Sequence, residues 1–478
     1  MKKTFSDIIY NGLYQLFIII IPIITVPYVS RVLGAHALGI YGYVYSIITF
    51  LSVLIAVGMN QLGPKVIAQT NRELRLKRFK QLWFIQFITG LIVIIVFICV
   101  TILLLPYKQY FLLEIPFLVG YVLDISWYFI GIGEIKKVVL RNTLIKMFAL
   151  VLIFLCVHTT DDLGIYVLIN SLSILLSNLV FWFSIIRSLR QEGQKDVDKV
   201  NDGTTSKMLL HQALILLIPQ VAVQAYTSFD STIVGIISGA TQLAFYSQSQ
   251  NIARVVLAII TSVSVVLMPK MAAMQKKDAT EKRILKVFDI SLTGTLIISL
   301  YLAMLLMVNA KVFVGWFFGN EFTPMSKNMF WVSLIIIFIS YGGVFATQYT
   351  LSRGLYVRYA IPYIIGAIYS ISLNLLLVPK MKSFGGTIVI TTTEILVCLI
   401  RVFIVKKYLP IWTIFKAHIR YILIFLVTLF VGLMLDFGEI SAFYDLVIKS
   451  VVVSLVYAIL VIIVNRNKLD KLRKILKL

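Results

Sequence analysis

Five charged side chains lie inside long apolar stretches of the sequence, and they are the first candidates for chemistry. They are Asp124, Asp230, Arg254, Glu394 and Lys449. Each stretch is long enough to cross a lipid bilayer, where a charge at the centre costs at least ~2.5–3.5 kcal/mol. A charge in that position usually faces a cavity or an oppositely charged partner. These residues therefore predict a site that binds an ion or a charged ligand.

Arg254 is the most informative of the five. It lies about eleven residues from the outer end of its apolar stretch, too deep to reach the membrane surface easily. A guanidinium group matches phosphate oxygens with two parallel hydrogen bonds. Two interpretations stay open: Arg254 binds an anion in a central cavity, or it is a structural partner of Asp230 or Glu394.

Three acidic residues are candidates for coupling to an H⁺ or Na⁺ gradient. Asp230 has serine or threonine at positions 228, 231 and 232, and Glu394 follows three consecutive threonines. Asp124 lies in the fourth apolar stretch. Each of these side chains is also of the kind that joins two membrane helices by a hydrogen bond, and this alternative stays open.

Further polar side chains are predicted to line the same cavity. Asn11 and Tyr14 belong to the first apolar stretch and Gln224 to the seventh. Arg31, at the outer end of the first stretch, is a second candidate for binding an anion. These four residues and Arg254 are the predicted substrate-binding set.

The composition predicts an all-α integral membrane protein. Of the 478 residues, 60% are hydrophobic and 14% are charged, whereas soluble domains average about 45–50% and about 25%. A membrane-spanning helix needs about 20 apolar residues. The sequence predicts fourteen such helices, at 9–30, 37–58, 81–105, 111–133, 141–158, 164–186, 209–238, 243–268, 287–310, 326–348, 359–378, 385–405, 415–435 and 443–464.

The basic residues predict the orientation of these helices. Of the 44 lysines and arginines, 34 lie in segments on one side of the predicted membrane and 6 on the other. Because basic residues concentrate in cytoplasmic loops, both termini are predicted to be cytoplasmic. The net charge of +23 then follows from topology, so nucleic acid is not expected as a partner.

Two lysines inside apolar stretches receive a different interpretation from Arg254. Lys146 lies toward the cytoplasmic end of the fifth predicted span, and Lys449 lies in the last one. A lysine has a long aliphatic stem that carries its charge to the membrane surface. Both side chains are therefore expected to reach the interface or the lipid rather than a binding site.

An internal repeat predicts two lobes. Ten of 35 positions are identical when 34–68 is aligned without gaps to 239–273. The copies are six predicted spans apart, an even number, so they have parallel orientation, as in two-lobed transporters. The prediction is two pseudo-symmetric six-helix lobes, 1–207 and 208–410, followed by a helix pair and a basic tail in 411–478.

Several kinds of site are not expected. The three cysteines lie in apolar stretches and the four histidines are scattered, so the sequence predicts no disulfide, metal site or other cofactor. The predicted outer loops are short, the longest at 311–325. They leave no room for a folded catalytic domain outside the membrane, and the protein is not expected to be an enzyme.

The sequence also resembles a known family. PYVSRVLGAHALGIYG at 27–42 and DISWYFIGIGEIKK at 124–137 resemble signatures of bacterial polysaccharide flippases of the O-antigen and capsule type, in the multidrug/oligosaccharidyl-lipid/polysaccharide (MOP) superfamily. FDSTIVG at 229–235 resembles a third, with Ser231 where lysine is usual. The resemblance extends over roughly residues 5–410 in the family's order.

This resemblance implies a two-lobed transporter of the bacterial cytoplasmic membrane. It would move an undecaprenyl-pyrophosphate-linked oligosaccharide to the outer leaflet by alternating access, with Arg254 and then Arg31 as the best cavity candidates. H⁺ or Na⁺ coupling and contact with membrane lipid and a polysaccharide polymerase machinery are implied as well. Two alternatives stay open: a drug or small-molecule exporter of the same superfamily, and, in another class, a membrane polysaccharide polymerase.

Overall fold

The computed structural model is built of helices, and the described part of the chain contains no strand. It describes the backbone of residues 2–104, 106–192, 205–276, 281–438 and 440–476. Side chains are described from residue 20 onward, except those of 186–192, 262–276, 281–283, 467–476 and the single positions 72, 104, 219 and 356. Two compact units are present, Met1–Ala244 and Phe245–Leu478.

The first unit contains nine helices among its described residues. They are α1 (Lys2–Ala56), α2 (Met59–Gln69), α3 (Arg75–Leu104), α4 (Lys108–Leu113), α5 (Ile115–Val122), α6 (Ser126–Gly131), α7 (Ile135–Cys156), α8 (Leu163–Glu192) and α9 (Ser206–Ser238). The predicted fourth span consists of three short helices, α4 to α6, with breaks at Glu114 and at 123–125.

Helix α10 (Ala240–Lys276) begins at the end of the first unit and continues into the second. The remaining helices of the second unit are α11 (Glu281–Phe318), α12 (Ser326–Val332), α13 (Leu334–Val344), α14 (Tyr356–Val405), α15 (Ile411–Met434) and α16 (Ala442–Leu476). A π-helical turn, Phe345–Leu351, follows α13.

The helices agree with an all-α membrane protein. Ten segments of the described chain are long and apolar enough to cross a membrane, or eleven if the bent α9 is one span. Two of them, Ile20–Gln69 and Val357–Val405, have 50 and 49 residues. A straight helix of that length would extend roughly 75 Å, far beyond a bilayer core of about 30 Å. Each must therefore hold two spans, which keeps the predicted count of fourteen compatible with the structure.

A glycine turn divides α1 into two arms. Gly34 has φ 76° and ψ 175°, a conformation that is essentially restricted to glycine. Tyr28, before the turn, packs against Phe154 with ring centroids 4.4 Å apart. Tyr41, after it, packs against Tyr166 at 5.0 Å. Both arms thus contact the same connection between α7 and α8, as expected if the chain reverses at Gly34.

The long helix α14 is also divided into two arms. Lys382 has a φ of 54°, and a Cβ atom on Gly385 would lie 2.6 Å from the Leu377 carbonyl oxygen. Further from the break, a Cβ atom on Gly366 would lie 2.7 Å from a methyl carbon of Val397. These close approaches join residues on opposite sides of the break, so 357–378 and 385–405 form an antiparallel helical hairpin.

The aligned glycines of the internal repeat share one backbone conformation. Gly239, which is aligned with Gly34, has φ 84° and ψ 171°. In both copies the glycine therefore ends one helical segment and begins the next with the same rare geometry. The lobe boundaries at 207 and 410 stay a prediction.

The apolar cores of the two units form at equivalent helix ends. In the first unit, the cluster includes Phe79 from the start of α3, Trp127 from α6 and Phe181 from α8. In the second, it includes Phe288 from the start of α11 and residues from the ends of the predicted tenth and twelfth spans, such as Phe345 and Val405. The third, fourth and sixth predicted spans of each lobe thus meet in the same way.

The interpretation of Lys449 as a lipid-facing lysine is wrong. Its ammonium group lies 3.2 Å from the Asp445 carboxylate, and both side chains are about nine-tenths buried. The two residues are four positions apart on α16, on one helix face. A neighbouring acidic residue thus compensates the charge of the buried lysine, which would be strongly unfavourable if it were unpaired.

The glycine turn at Gly239 generates a stability prediction. No atom lies within 4 Å of the position that a Cβ atom on Gly239 would take, so Gly239→Ala adds backbone strain without a clash. We expect the protein to lose about 1–3 kcal/mol of stability and to unfold at a lower temperature in lipid nanodiscs. Gly294→Ala is the matched control: the site is equally open but helical, so an unchanged or higher melting temperature is expected. Equal melting curves for the two variants would contradict the strain argument.

Candidate functional site: a polar cavity in the first unit

A cavity of about 250 Å³ lies between α2 and the helices α5 to α8 of the first unit. Ten of its twelve lining residues are polar, and the exceptions are Ile145 and Ile174. The polar ones are Asn60, Tyr121, Asp124, Ser126, Arg141, Asn142, Lys146, Ser173, Ser177 and Asn178. Polar and ionisable groups inside a membrane domain mark a path or a site for a polar ligand. This cavity is therefore the candidate functional site.

The break between α5 and α6 forms one wall of the cavity. The Ser126 N–H donates a hydrogen bond to Asp124 Oδ1 at 2.9 Å. The buried Gln86 side chain donates through Nε2 to the carbonyl oxygens of Tyr121 at 2.8 Å and Asp124 at 2.9 Å. Trp127 Nε1 also donates to the Asp124 carbonyl, at 3.0 Å. Gln86 and Trp127 thus donate hydrogen bonds to carbonyl groups at the point where the helix is broken.

Asp124 has a structural role at the start of α6 that was not predicted from the sequence. Its carboxylate accepts a hydrogen bond from the Ser126 N–H at the start of α6, one of the N–H groups that have no partner within the helix. The same carboxylate also lines the cavity. Its predicted role in ion coupling stays a prediction.

Arg141 is held rigidly at the side of the cavity. Its guanidinium donates to Asn142 Oδ1 through Nη2 at 2.7 Å and Nε at 3.1 Å, and to Asn178 Oδ1 through Nη1 at 3.3 Å. The guanidinium carbon lies 3.8 Å from the centre of the Phe181 ring. Asn178 in turn donates to the Gly120 carbonyl at 2.8 Å. This network connects α5, α7 and α8 and fixes a positive charge beside the cavity.

Lys146 follows Asn142 by one helical turn, on the same face of α7. It lines the cavity, and it has no hydrogen-bond, ion-pair or aromatic partner among the described residues. It lies eleven residues after the start of α7, which is roughly 16 Å along the helix axis. The structure places this lysine on the cavity wall with its side chain exposed, and its predicted path to the membrane surface stays a prediction.

The cavity combines two cationic groups, one carboxylate and several amides and hydroxyls. Arg141 and Lys146 outweigh Asp124 by one positive charge at neutral pH. Such a set of donors suits an anion flanked by hydroxyl groups. The described part of the chain contains no group of three or more His, Cys, Asp or Glu side chains that could hold a metal ion.

Two predicted site residues lie where α9 meets α1. Gln224 is half-buried and donates to Ser228 Oγ at 2.6 Å. Thr232 and Ser46 share a hydrogen bond of 2.9 Å between the two helices. Asp230, on the same helix as Gln224, is fully buried. Hydrogen bonds of this type join membrane helices, and the predicted ion-coupling role of Asp230 stays a prediction.

The predicted residues of the second unit lie on two helices. Arg254 on α10 is half-buried and donates through Nη2 to Gln250 Oε1 at 3.2 Å. Glu394 on α14 is 2% exposed, and Arg401 lies two helical turns further at 6%. The roles predicted for Arg254 and Glu394 stay predictions.

The remaining candidates belong to the first arm of α1. Arg31 is exposed, lies one turn before Gly34 and donates through Nη1 to the Pro27 carbonyl at 3.5 Å. Asn11 and Tyr14 are on the same helix, but their side chains lie outside the described residues. Arg31 is not among the described residues that line the cavity.

Sequence reasoning missed the residues that build the cavity. Gln86 and Asn178 carry no formal charge, so a search for charges inside spans cannot find them. Lys146 was predicted to reach the membrane surface, and its position in the cavity lining was not predicted. A signal for Asn178 and Ser177 was present, since α8 carries polar residues at 170, 171, 173, 177 and 178, which the spacing of a helix brings largely to one side.

Comparison with known proteins gives the family. Residues 5–275, more than half of the chain, match the model of the family described as "Polysaccharide biosynthesis protein". The chain is 22% identical over 408 residues to the "Putative O-antigen transporter" of Escherichia coli (strain K12), covering 84% of this chain and 96% of that protein. A protein of the same name from Shigella dysenteriae is 19% identical over 412 residues, covering 85% and 100%.

Solved structures show the same fold. The lipid II flippase MurJ in an inward closed conformation matches with a TM-score of 0.77 and 15% identity, covering 97% of this chain and 100% of that chain. An inward-facing multidrug resistance MATE family transporter of the MOP superfamily matches with a TM-score of 0.63 and 15% identity, covering 84% and 96%. The relatives are named as transporters or a flippase, which agrees with the prediction that the chain is not an enzyme. We conclude that the chain belongs to the polysaccharide biosynthesis protein family and has the fold of MOP superfamily transporters.

Proposed function

We propose that the protein is a flippase for undecaprenyl-pyrophosphate-linked oligosaccharide repeat units. It moves them from the cytoplasmic to the outer leaflet of the bacterial plasma membrane by alternating access. The observation that carries the proposal is the polar cavity with Lys146 on its wall, in a chain of the polysaccharide biosynthesis family. Such a substrate needs a protein path because its charged head group and sugars cannot cross hydrocarbon unaided, whereas its polyprenyl tail can stay in the lipid.

The chemistry of the cavity suits the pyrophosphate group. Lys146 supplies a mobile ammonium group, which binds phosphate as a point charge. Arg141 supplies a second, fixed positive charge, and Asn60 and the serines of α8 offer hydrogen bonds to sugar hydroxyls. A volume of about 250 Å³ is below the range of pockets that enclose a whole drug-sized ligand. The cavity therefore binds the head-group end of the substrate.

The other predicted site residues enter the proposal with the roles that their chemistry suggests. Arg254 binds the pyrophosphate at a second position along the path, and Arg31, Asn11, Tyr14 and Gln224 contact the substrate as it moves. These roles rest on residue type and position in the sequence. The distribution of basic residues supports cytoplasmic termini.

Coupling to an ion gradient is part of the proposal. Asp230, Glu394 and Asp124 are the candidate groups for H⁺ or Na⁺ from the sequence. The burial of Asp230 and Glu394 supports their selection, since a buried acidic residue in a membrane helix is a functional candidate.

A drug exporter is the second candidate, because the fold is also that of a multidrug transporter. Exported drugs of that type are commonly cations, which a cavity with excess positive charge repels. The charge of the cavity therefore favours the flippase. A membrane polymerase is less favoured still, since the relatives that the chain matches are named as transporters.

The decisive experiment measures lipid-linked oligosaccharide in a strain that lacks the protein. The leaflet is assigned by access of an external sugar-modifying enzyme. We expect complete repeat units to accumulate in the inner leaflet, because the head group cannot cross the membrane without the flippase. Accumulation in the outer leaflet would contradict the proposal and reopen the polymerase alternative.

Lys146 provides a test of the cavity itself. Replacing it by glutamine removes one charged hydrogen bond to the substrate, worth about 1.5–3 kcal/mol. We expect Lys146→Gln to reduce transport roughly 10- to 100-fold with normal amounts of protein in the membrane. Lys137→Gln is the matched control, because Lys137 lies on the same helix but is not among the residues that line the cavity and is paired with Glu134 at 2.8 Å. Equal transport by the two variants would exclude the cavity as the head-group site.

Arg254 is tested separately. We expect Arg254→Ala to abolish export of the surface glycan without loss of the protein from the membrane, because it removes a bidentate phosphate ligand. Arg254→Lys keeps the charge but not the planar fork, so partial transport is expected. Surface glycan assayed in whole cells gives the readout, and wild-type levels in the alanine variant would show that Arg254 does not bind the substrate.

A further inference from the structure

A buried carboxyl group lies at the junction of α4 and α5, apart from the residues that line the polar cavity. Glu114 is 0% exposed, and its carboxylate has no hydrogen-bond partner among the described residues other than the hydroxyl of Ser171. The Ser171 hydroxyl lies alongside it and accepts a hydrogen bond from the Phe117 N–H at 2.9 Å. An isolated ionised carboxylate in an apolar interior is so unfavourable that such groups become neutral instead.

The groups that face Glu114 provide no positive charge. Tyr41 and Tyr45 of α1 and Tyr166 of α8 lie within electrostatic range of the carboxylate, and we call them the tyrosine cluster. Tyr41 stands at its centre, with its ring 5.5 Å from that of Tyr45 and 5.0 Å from that of Tyr166. From α3 and α4, which also contact α5, no charged side chain in the described part of the chain acts on Glu114.

We propose that Glu114 is a proton-binding site, which carries a proton in this conformation and exchanges it when the tyrosine cluster moves away. A proton suits the geometry because it needs neither a cavity nor a coordination shell. A protonated carboxyl group is neutral and becomes a hydrogen-bond donor. A metal cation needs several oxygen ligands, and no group of three or more His, Cys, Asp or Glu side chains that could hold one occurs among the described residues.

The short helix α5 connects this site to the polar cavity. Glu114 precedes its first residue, and Tyr121 near its other end lines the cavity. The Phe117 ring, midway along α5, lies 6.0 Å from the ring of Tyr45 and 5.0 Å from that of Tyr121. A shift of α1 that uncovers Glu114 therefore also moves the aromatic contacts behind the cavity wall. On the proposed function, proton exchange at Glu114 would be coupled to substrate binding, and this step depends on that proposal.

Infrared spectroscopy of the purified full-length protein in lipid nanodiscs tests the site without substrate. At pH 7 in Na⁺-free buffer we expect the wild type to show the C=O band of a protonated carboxylic acid that Glu114→Gln lacks. Glu321→Gln, which changes an exposed acidic residue, should retain that band. Glu114→Asp should shift the band rather than remove it, which keeps the test valid if the glutamine variant misfolds. An identical band in the wild type and Glu114→Gln, or its loss when Na⁺ is added, would overturn the inference.

Transport assays separate this inference from the proposed function. In vesicles with an imposed pH gradient, we expect the gradient to accelerate wild-type movement of lipid-linked oligosaccharide and to lose that effect in Glu114→Gln. If the wild type moves no such lipid while the infrared difference is present, the proposed function fails and the proton site stands. If transport occurs but the infrared spectra do not differ, the proton site alone is refuted.

Discussion

The absence of water inside a bilayer is the constraint on which this structure depends. Every backbone or side-chain polar group within a span must find its partner in the protein. The break between α5 and α6 shows how this is achieved: Gln86, on another helix, donates to the carbonyl groups of Tyr121 and Asp124. Trp127 adds a third hydrogen bond. These side chains provide the hydrogen bonds that water would otherwise provide, and they thereby stabilise the irregular segment that lines the polar cavity.

The same constraint makes the exceptions informative. Lys146 has no partner among the described residues, and Glu114 has only the Ser171 hydroxyl. The Lys146 ammonium group faces a cavity that can admit an anion, whereas the Glu114 carboxyl group is buried near the tyrosine cluster. The first geometry suits a ligand with volume and negative charge, and the second suits a proton. Both groups border on α5, whose two ends carry the broken backbone of the predicted fourth span.

Glycine turns satisfy the same constraint at the points where one helical segment ends and the next begins. At Gly34 and Gly239 one helical segment follows another without a long loop, so few backbone groups are left exposed. The two turns have nearly identical φ and ψ angles and occupy aligned positions of the internal repeat. The apolar cores also form at equivalent ends of equivalent helices in each unit. The repeat that is weak in sequence is thus apparent in backbone geometry and in core packing.

The hydropathy pattern and the sequence motifs are enough to predict an all-α membrane protein, the approximate positions of its spans and the family to which it is related. Those properties are sums over many residues, and an apolar stretch of about 20 residues most often forms a membrane-spanning helix. What each internal charge faces could be learned from the three-dimensional structure alone. Lys146 and Lys449 looked alike in the sequence, yet one lines a cavity and the other pairs with Asp445. The partner of Lys449 is four residues away on its own helix, whereas the cavity beside Lys146 is made by helices distant in the chain. The hydropathy of a segment predicts how deep in the membrane a side chain lies. Its surroundings depend on the neighbouring helices, and no local sequence pattern predicts which helices those are.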